Sequence, residues 1–276
     1  MYRTHLIVFI ISFFVSCKKD PTLIKIENLN QNKISVFGHG GLGILSKYPM
    51  NSMESLTGAL KLGAAGTEMD VQLSKDNVLV LYHNLKLEDA THCYGDIREK
   101  NWDEIKNCKY KLPLFSRAAL INANQVFEKV ENKSNYIFTF DCKVNIKDNT
   151  DFLMNYANAL YMLISNNNLL ENCFIESYNV EFLKILYLKN NKLKLFIHAD
   201  DYKAAFNASK YVTLYGITMD RERITKEEIE EAHKQNLHVT LFNTDSEKTN
   251  LEAIQMNPDF IQTDKVEYLV NVLKKE

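Results

Sequence analysis

Between Ile34 and Asn84 three short apolar runs each carry or lead into polar residues. Ile34–Gly38 ends at His39, Thr67–Leu73 carries Glu68 and Asp70, and Val78–Tyr82 ends at His83. Such runs read as strands, and the helical pattern Met53–Leu62 between the first two points to a parallel pair. Asn51 is placed to cap that helix, with Glu54 three residues on closing a capping box. Strand-like and helix-like stretches then alternate. The strands are Tyr136–Phe140, Cys173–Ser177, Leu193–Ile197, Tyr215–Thr218 and His238–Phe242; the helices are Phe115–Val130, Asp151–Asn166, Val180–Asn190 and Lys226–Gln235. A last apolar run, Phe260-Ile261, passes through Gln262-Thr263-Asp264 into a final helix. This order predicts an α/β fold, a TIM-like (β/α)8 barrel with an inserted loop, Asn84 to Lys111, after strand three. The link Ser74-Lys75-Asp76-Asn77 between strands two and three holds no helix and departs from strict alternation.

Parallel strands that close into a barrel bring their C-terminal ends to one mouth. Glu68 and Asp70 stand at i and i+2 of one strand, so both point to the same side, about 7 Å apart along the backbone. Two carboxylates so placed are oxygen ligands suited to a hard cation. His39 and His83 flank them. An imidazole titrates near neutral pH, so one histidine can take a proton from a nucleophile while the other delivers one to a leaving alkoxide.

The order H-x-G at His39, P-x-N-S at Pro49, G-x-E-x-D-V from Gly66 and a strand ending in His83 resembles the glycerophosphodiester phosphodiesterase family. L-P-L-F at Leu112, D-C-K at Asp141, S-Y at Ser177 and T-D at Thr263 follow in the family's order. The resemblance spans Ile34 to Leu269. It implies hydrolysis of a small-molecule glycerophosphodiester to glycerol phosphate and an alcohol. It also implies a divalent metal ion, Ca2+ or Mg2+, on Glu68, Asp70 and Asp141, catalytic His39 and His83, and Lys143 as a phosphate-binding cation. Two positions differ: the family's His-Arg-Gly is His39-Gly40-Gly41, and its Pro-Glu-Asn is Pro49-Met50-Asn51. Losing the arginine removes a bidentate clamp. Arg221, Arg223, a loop residue or the backbone N–H groups of Gly40 and Gly41 stand as replacements. A phosphatidylinositol phospholipase C-like lyase and a catalytically inactive phosphodiester-binding lipoprotein are the alternative readings.

Residues 1–17 fit a signal peptide: Arg3, an apolar run from Leu6 to Val15, then Ser16-Cys17. That run is too short to span a bilayer. The ending resembles a bacterial lipoprotein signal, which makes Cys17 the lipidated N-terminus of an exported protein anchored to the membrane and facing periplasm or exterior. Residues 18–32 read as a polar tether and 33–276 as the barrel domain. A net charge of −2 with both signs mixed gives no ground for a nucleic-acid partner. The remaining cysteines lack CxxC spacing, which argues against a zinc site. In an oxidising compartment Cys93 and Cys108, which flank the inserted loop, can close it, although spacing alone does not fix connectivity. Cys142, between Asp141 and Lys143 on a strand, is expected to face the helices as a buried thiol. Trp102 is expected to anchor the loop, with stacking on a choline-like cation as the alternative.

Overall fold

The computed structural model describes residues 25–44, 46–111 and 117–274. Cys17 and Leu112-Pro113-Leu114-Phe115 lie outside these residues. The strands run in chain order as β1 (Ser35–Gly38), β2 (Gly66–Leu73), β3 (Leu79–Leu81), β4 (Ile121–Asn122), β5 (Ile137–Cys142), β6 (Cys173–Ser177), β7 (Lys194–His198), β8 (Gly216–Asp220), β9 (His238–Thr244) and β10 (Phe260–Thr263). All but β3 and β4 are parallel, and β1 pairs with both β2 and β10, so eight strands close into a barrel.

Two strands differ from expectation. The run taken as the third barrel strand, β3, is antiparallel to β2 and lies outside the barrel. Its short turn from β2 allows a hairpin but no parallel crossover, which needs a dozen or more residues. The eighth barrel strand is instead β10, built on the short apolar run Phe260-Ile261. The helix expected over Phe115–Val130 begins only at Ala123, because Ile121 and Asn122 pair with β3 and the Asn122 side chain caps the helix by accepting from Gln125 N–H.

The helices are α1 (Met53–Lys61), α2 (Trp102–Ile105), α3 (Ala123–Lys129), α4 (Thr150–Asn166), α5 (Val180–Lys189), α6 (Tyr202–Ala208), α7 (Lys226–Lys234), α8 (Glu247–Met256) and α9 (Val266–Leu273). The pattern of the sequence did not resolve α6 and α8. The cap of α1 is Ser52, whose hydroxyl accepts from Ser55 N–H, and not Asn51, which sits one residue earlier with φ +64°.

Helices cover the outside of the barrel, so its strands are buried on both faces, and β2 is buried along its whole length. Inside, Phe37, Phe174, Phe196 and Phe260 form an aromatic plug, with Phe37 and Phe260 stacked at 5.3 Å. Each ring contributes roughly 2–3 kcal/mol by burial. Gly216 makes room for this layer: a Cβ there would lie 2.4 Å from the Phe196 ring. The plug fills the lower barrel and leaves polar side chains for the mouth.

The stretch expected as a tether is fixed from Ile26 onward. Glu27 N–H donates to Asn257 Oδ1, the Asn28 amide to Pro258 O and Asn30 N–H to Asp259 Oδ1, all beside the start of β10. The insertion after β3 has its own small core of Leu87, Ile97, Ile105 and Tyr110, against which Trp102 packs as an anchor. Cys93 and Cys108 are bonded within it, with Cα atoms 5.7 Å apart. Cys142 is a buried free thiol, packed toward Tyr156 of α4.

Candidate active site

Three carboxylates meet where the middle of β2 runs beside the C-terminal end of β5. Glu68 and Asp70 share one face of β2, and the parallel register sets Asp70 directly beside Asp141. One oxygen from each lies within 4.8 Å of the others. Glu68 and Asp70 are 2% and 1% exposed, so each needs partners. Asp70 has them: Oδ1 is 2.7 Å from Lys143 Nζ, Oδ2 accepts from the Asn51 amide at 2.6 Å, and its own N–H donates to Asn51 Oδ1 at 2.9 Å. Burial opposes its ionisation, yet Lys143 and His83 with these bonds hold its pKa at about 2.

Glu68 is different. Oε2 accepts from Gly40 N–H at 2.6 Å, but the buried Oε1 has no partner among the described residues. Burial, reinforced by the charges of Asp70 and Asp141, pushes its carboxyl well above the usual range. Lys143 Nζ satisfies Asp70 and, at 2.5 Å, Asp141 Oδ2. Burial works against its charge, but Asp141, Asp70 and Glu68 hold it firmly protonated. An ion-pair cluster centred on Lys143 therefore leaves Glu68 unexplained. A hard divalent cation is what an orphaned buried oxygen among three carboxylates fits.

Both predicted histidines reach this cluster electrostatically. His39 follows β1, and its Nδ1 lies 2.7 Å from Asp264 Oδ1. Burial alone would depress the imidazole, but the Asp264 bond and charge, with that of Asp70, raise its pKa above the ordinary value. Asp264 does not cap α9, whose N-cap position is Lys265; it orients His39. His83 follows β3, is exposed, and sets Nδ1 2.8 Å from Asn84 Oδ1. The hairpin that removes β3 from the barrel is thus what brings His83 over the mouth.

The backbone N–H groups of Gly40 and Gly41, expected near the phosphate, both have protein acceptors here. Gly40 N–H is engaged by Glu68, and Gly41 N–H donates to Gly38 O within the turn after β1. The two arginines named as replacements for the family's clamp are paired with carboxylates. Arg221 pairs with Glu222 and Glu252, and Arg223 with Asp200. The Arg98 guanidinium donates to Lys143 O at 2.6 Å and to Asp148.

Two mouth residues carried little or no signal in the sequence. Glu176 on β6 lies beside Asp141 in register and accepts from Thr218 and Gln262. Burial, then the Asp141 charge, raises its pKa to about 7. A lone carboxylate inside the apolar run Cys173–Ser177 was its only trace. His198 ends β7 with both ring nitrogens buried and without a partner among the described residues, under the ring of Tyr178 at 4.0 Å.

A closed parallel barrel with clustered carboxylates, a half-buried lysine and two histidines near its mouth is an arrangement suited to a barrel hydrolase acting on an anionic substrate. The profile of the glycerophosphoryl diester phosphodiesterase family matches residues 43–268. The chain belongs to that family and is an enzyme of that class, a phosphoric diester hydrolase. A glycerophosphodiester phosphodiesterase of Caldanaerobacter subterraneus is 24% identical over 231 residues, 82% of this chain and 93% of that one. One from Bacillus altitudinis is 29% identical over 114 residues, 40% of this chain and 46% of the relative's length. A phosphodiesterase of Oleispira antarctica, solved with its product sn-glycerol-3-phosphate, superposes with TM-score 0.76 at 15% identity, over 88% of this chain and 98% of that one.

Proposed function

We propose that the chain hydrolyses glycerophosphodiesters to glycerol phosphate and an alcohol, with Ca2+ or Mg2+ held by Glu68, Asp70 and Asp141 and protons moved by His39 and His83. The observation that carries this reading is the buried Glu68 Oε1, without a partner among the described residues, beside Asp70 and Asp141. A bound cation would supply charge neutralisation and polarisation of phosphoryl oxygens. Lys143, fixed between two carboxylates, adds a positive charge where the phosphate sits. Asp264 accepts from Nδ1–H of His39, which leaves Nε2 for proton transfer. Water attacks phosphorus and gives its proton to one imidazole; the bond to the alcohol oxygen breaks and the other imidazole protonates that oxygen.

The test is a metal-titrated hydrolysis assay. Asp70→Asn should weaken metal affinity, with excess metal restoring part of the rate. His39→Ala and His83→Ala should each lower kcat by about 10²–10⁴-fold, beyond rescue by metal. Hydrolysis that survives both histidine substitutions would overturn the mechanism. We further propose that Cys17 carries lipid and anchors the exported protein, on the strength of the short apolar run ending at Ser16-Cys17. A Cys17→Ser form still found in the membrane fraction would sink that idea.

A further inference from the structure

Two cavities flank the ridge from His83 to Leu85, and their walls differ in chemistry. One, of about 470 Å³, opens beside His83 and is walled by groups such as Ile44, Pro49, Met50 and Tyr110, with Asp89 and Lys111 the charged residues of its lining. The other, of about 320 Å³, contains Asp141 and Lys143 and is lined by polar groups such as Gln72, Arg98 and Asn145. Both volumes suit a small ligand or one arm of it. A phosphodiester held between His83 and Lys143 has two arms, one for each side.

The apolar wall arises where the chain departs from its family. A Cβ built on Gly40 would lie 2.5 Å from Met50 Cε and 2.8 Å from Met50 Cβ. Met50 therefore occupies the space into which a side chain at position 40 would grow, and the two departures form one packed unit. Where the family sets an arginine and a glutamate, this chain sets a thioether over a glycine, beside the phosphate position. Deeper in the same wall Tyr110 is 6% exposed, and its hydroxyl is buried with no partner among the described residues.

We infer that the cavity walled by Met50 and Tyr110 receives an apolar alcohol arm, so that the substrates are glycerophosphodiesters whose alcohol carries an alkyl or acyl-like chain. The glycerol arm, with its hydroxyls, lies on the polar side near Lys143. This rests on the hydrolase reading above and specifies its substrate. Burying one methylene in such a wall favours binding by a factor of about four.

The experiment compares kcat/KM of the full chain on glycerophosphodiesters with butyl, hexyl, octyl, glyceryl, inositol and choline arms. It is paired with calorimetric binding of a non-hydrolysable octyl phosphonate analogue. Rates should climb with alkyl length and exceed those of the polar arms at least tenfold. Met50→Glu should lower the octyl-to-glyceryl ratio at least tenfold. Ile44→Asp, at a rim residue 60% exposed and so harmless to folding, should lower the same ratio several-fold. Equal or faster turnover of glyceryl or inositol arms would overturn the inference while leaving the hydrolase reading standing. A choline arm preferred over octyl would overturn it too, and would assign the cavity to a cation facing Asp89. Failure to hydrolyse any diester would instead remove the hydrolase reading, and analogue binding unaffected by Met50→Glu would refute the pocket on its own.

Discussion

Nδ1 of His39 lies 2.7 Å from Oδ1 of Asp264, a bond that ties the turn after the first barrel strand to the residue following the last. It settles which nitrogen of His39 is held and raises the imidazole's pKa. Asp264→Asn should remove the charge and keep the shape. Because Asp264 raises the His39 pKa, its loss lowers it, and the limb of the pH–rate profile that reports His39 should move to lower pH. We expect kcat to fall about tenfold or more, less than for His39→Ala. A profile with unmoved limbs would show that Asp264 acts only in folding.

Asn51 braces Asp70 with two bonds and does so from φ +64°, a conformation asparagine tolerates and alanine does not. Asn51→Ala should cost roughly 1–3 kcal/mol of stability through the unpaired Asp70 groups. It should also weaken metal affinity by about 10–100-fold, the usual effect of losing a group that orients a ligand. Urea midpoints and metal titration calorimetry read the two effects separately. Unchanged metal affinity would mean that Asp70 holds its position without the amide.

Restoring the family's arginine should not restore a clamp. At Gly40 φ is +52°, and Met50 already fills the adjoining space. Gly40→Arg should lower stability by roughly 1–3 kcal/mol and raise KM. Adding Met50→Ala should recover part of both, because the crowding at Cε and Cγ is relieved. A lower KM in the single variant, with an unchanged melting temperature, would show that the corner accepts the guanidinium after all.

His198 makes the fold sensitive to acid. Burial, against the opposing charge of Asp141, drops its pKa to about 4, with Lys143, Asp200 and Asp220 the other charges facing it. Its unfolded value is about 6.5, so between those limits the unfolded chain binds the extra proton. Stability should therefore be whole above about pH 6.5 and fall as pH drops toward 4, by roughly 3 kcal/mol from this residue. Urea unfolding at pH 7 and 5 should show a smaller loss for His198→Gln than for the wild type. Equal losses would assign the acid sensitivity to other groups.

The sequence by itself determined the parts set by local chemistry. Short apolar runs separated by helical patterns located most barrel strands within a residue or two. The two-residue spacing of Glu68 and Asp70 put both on one face, because alternation along a strand is a property of the backbone. The partners of these residues come from elsewhere in the chain: Asn51, nineteen residues before Asp70, and Asp264, 225 residues after His39. No local rule specifies such pairs. The tertiary structure also decided that β3 leaves the barrel and β10 enters it, since closure depends on which strand edges meet. It decided that Gly40 and Met50 are one unit, because two side-chain volumes compete for one space only after the turn is folded. Glu68 Oε1 is orphaned for the same reason. A carboxylate lacks a partner only once packing has shut out water and placed every other donor out of reach.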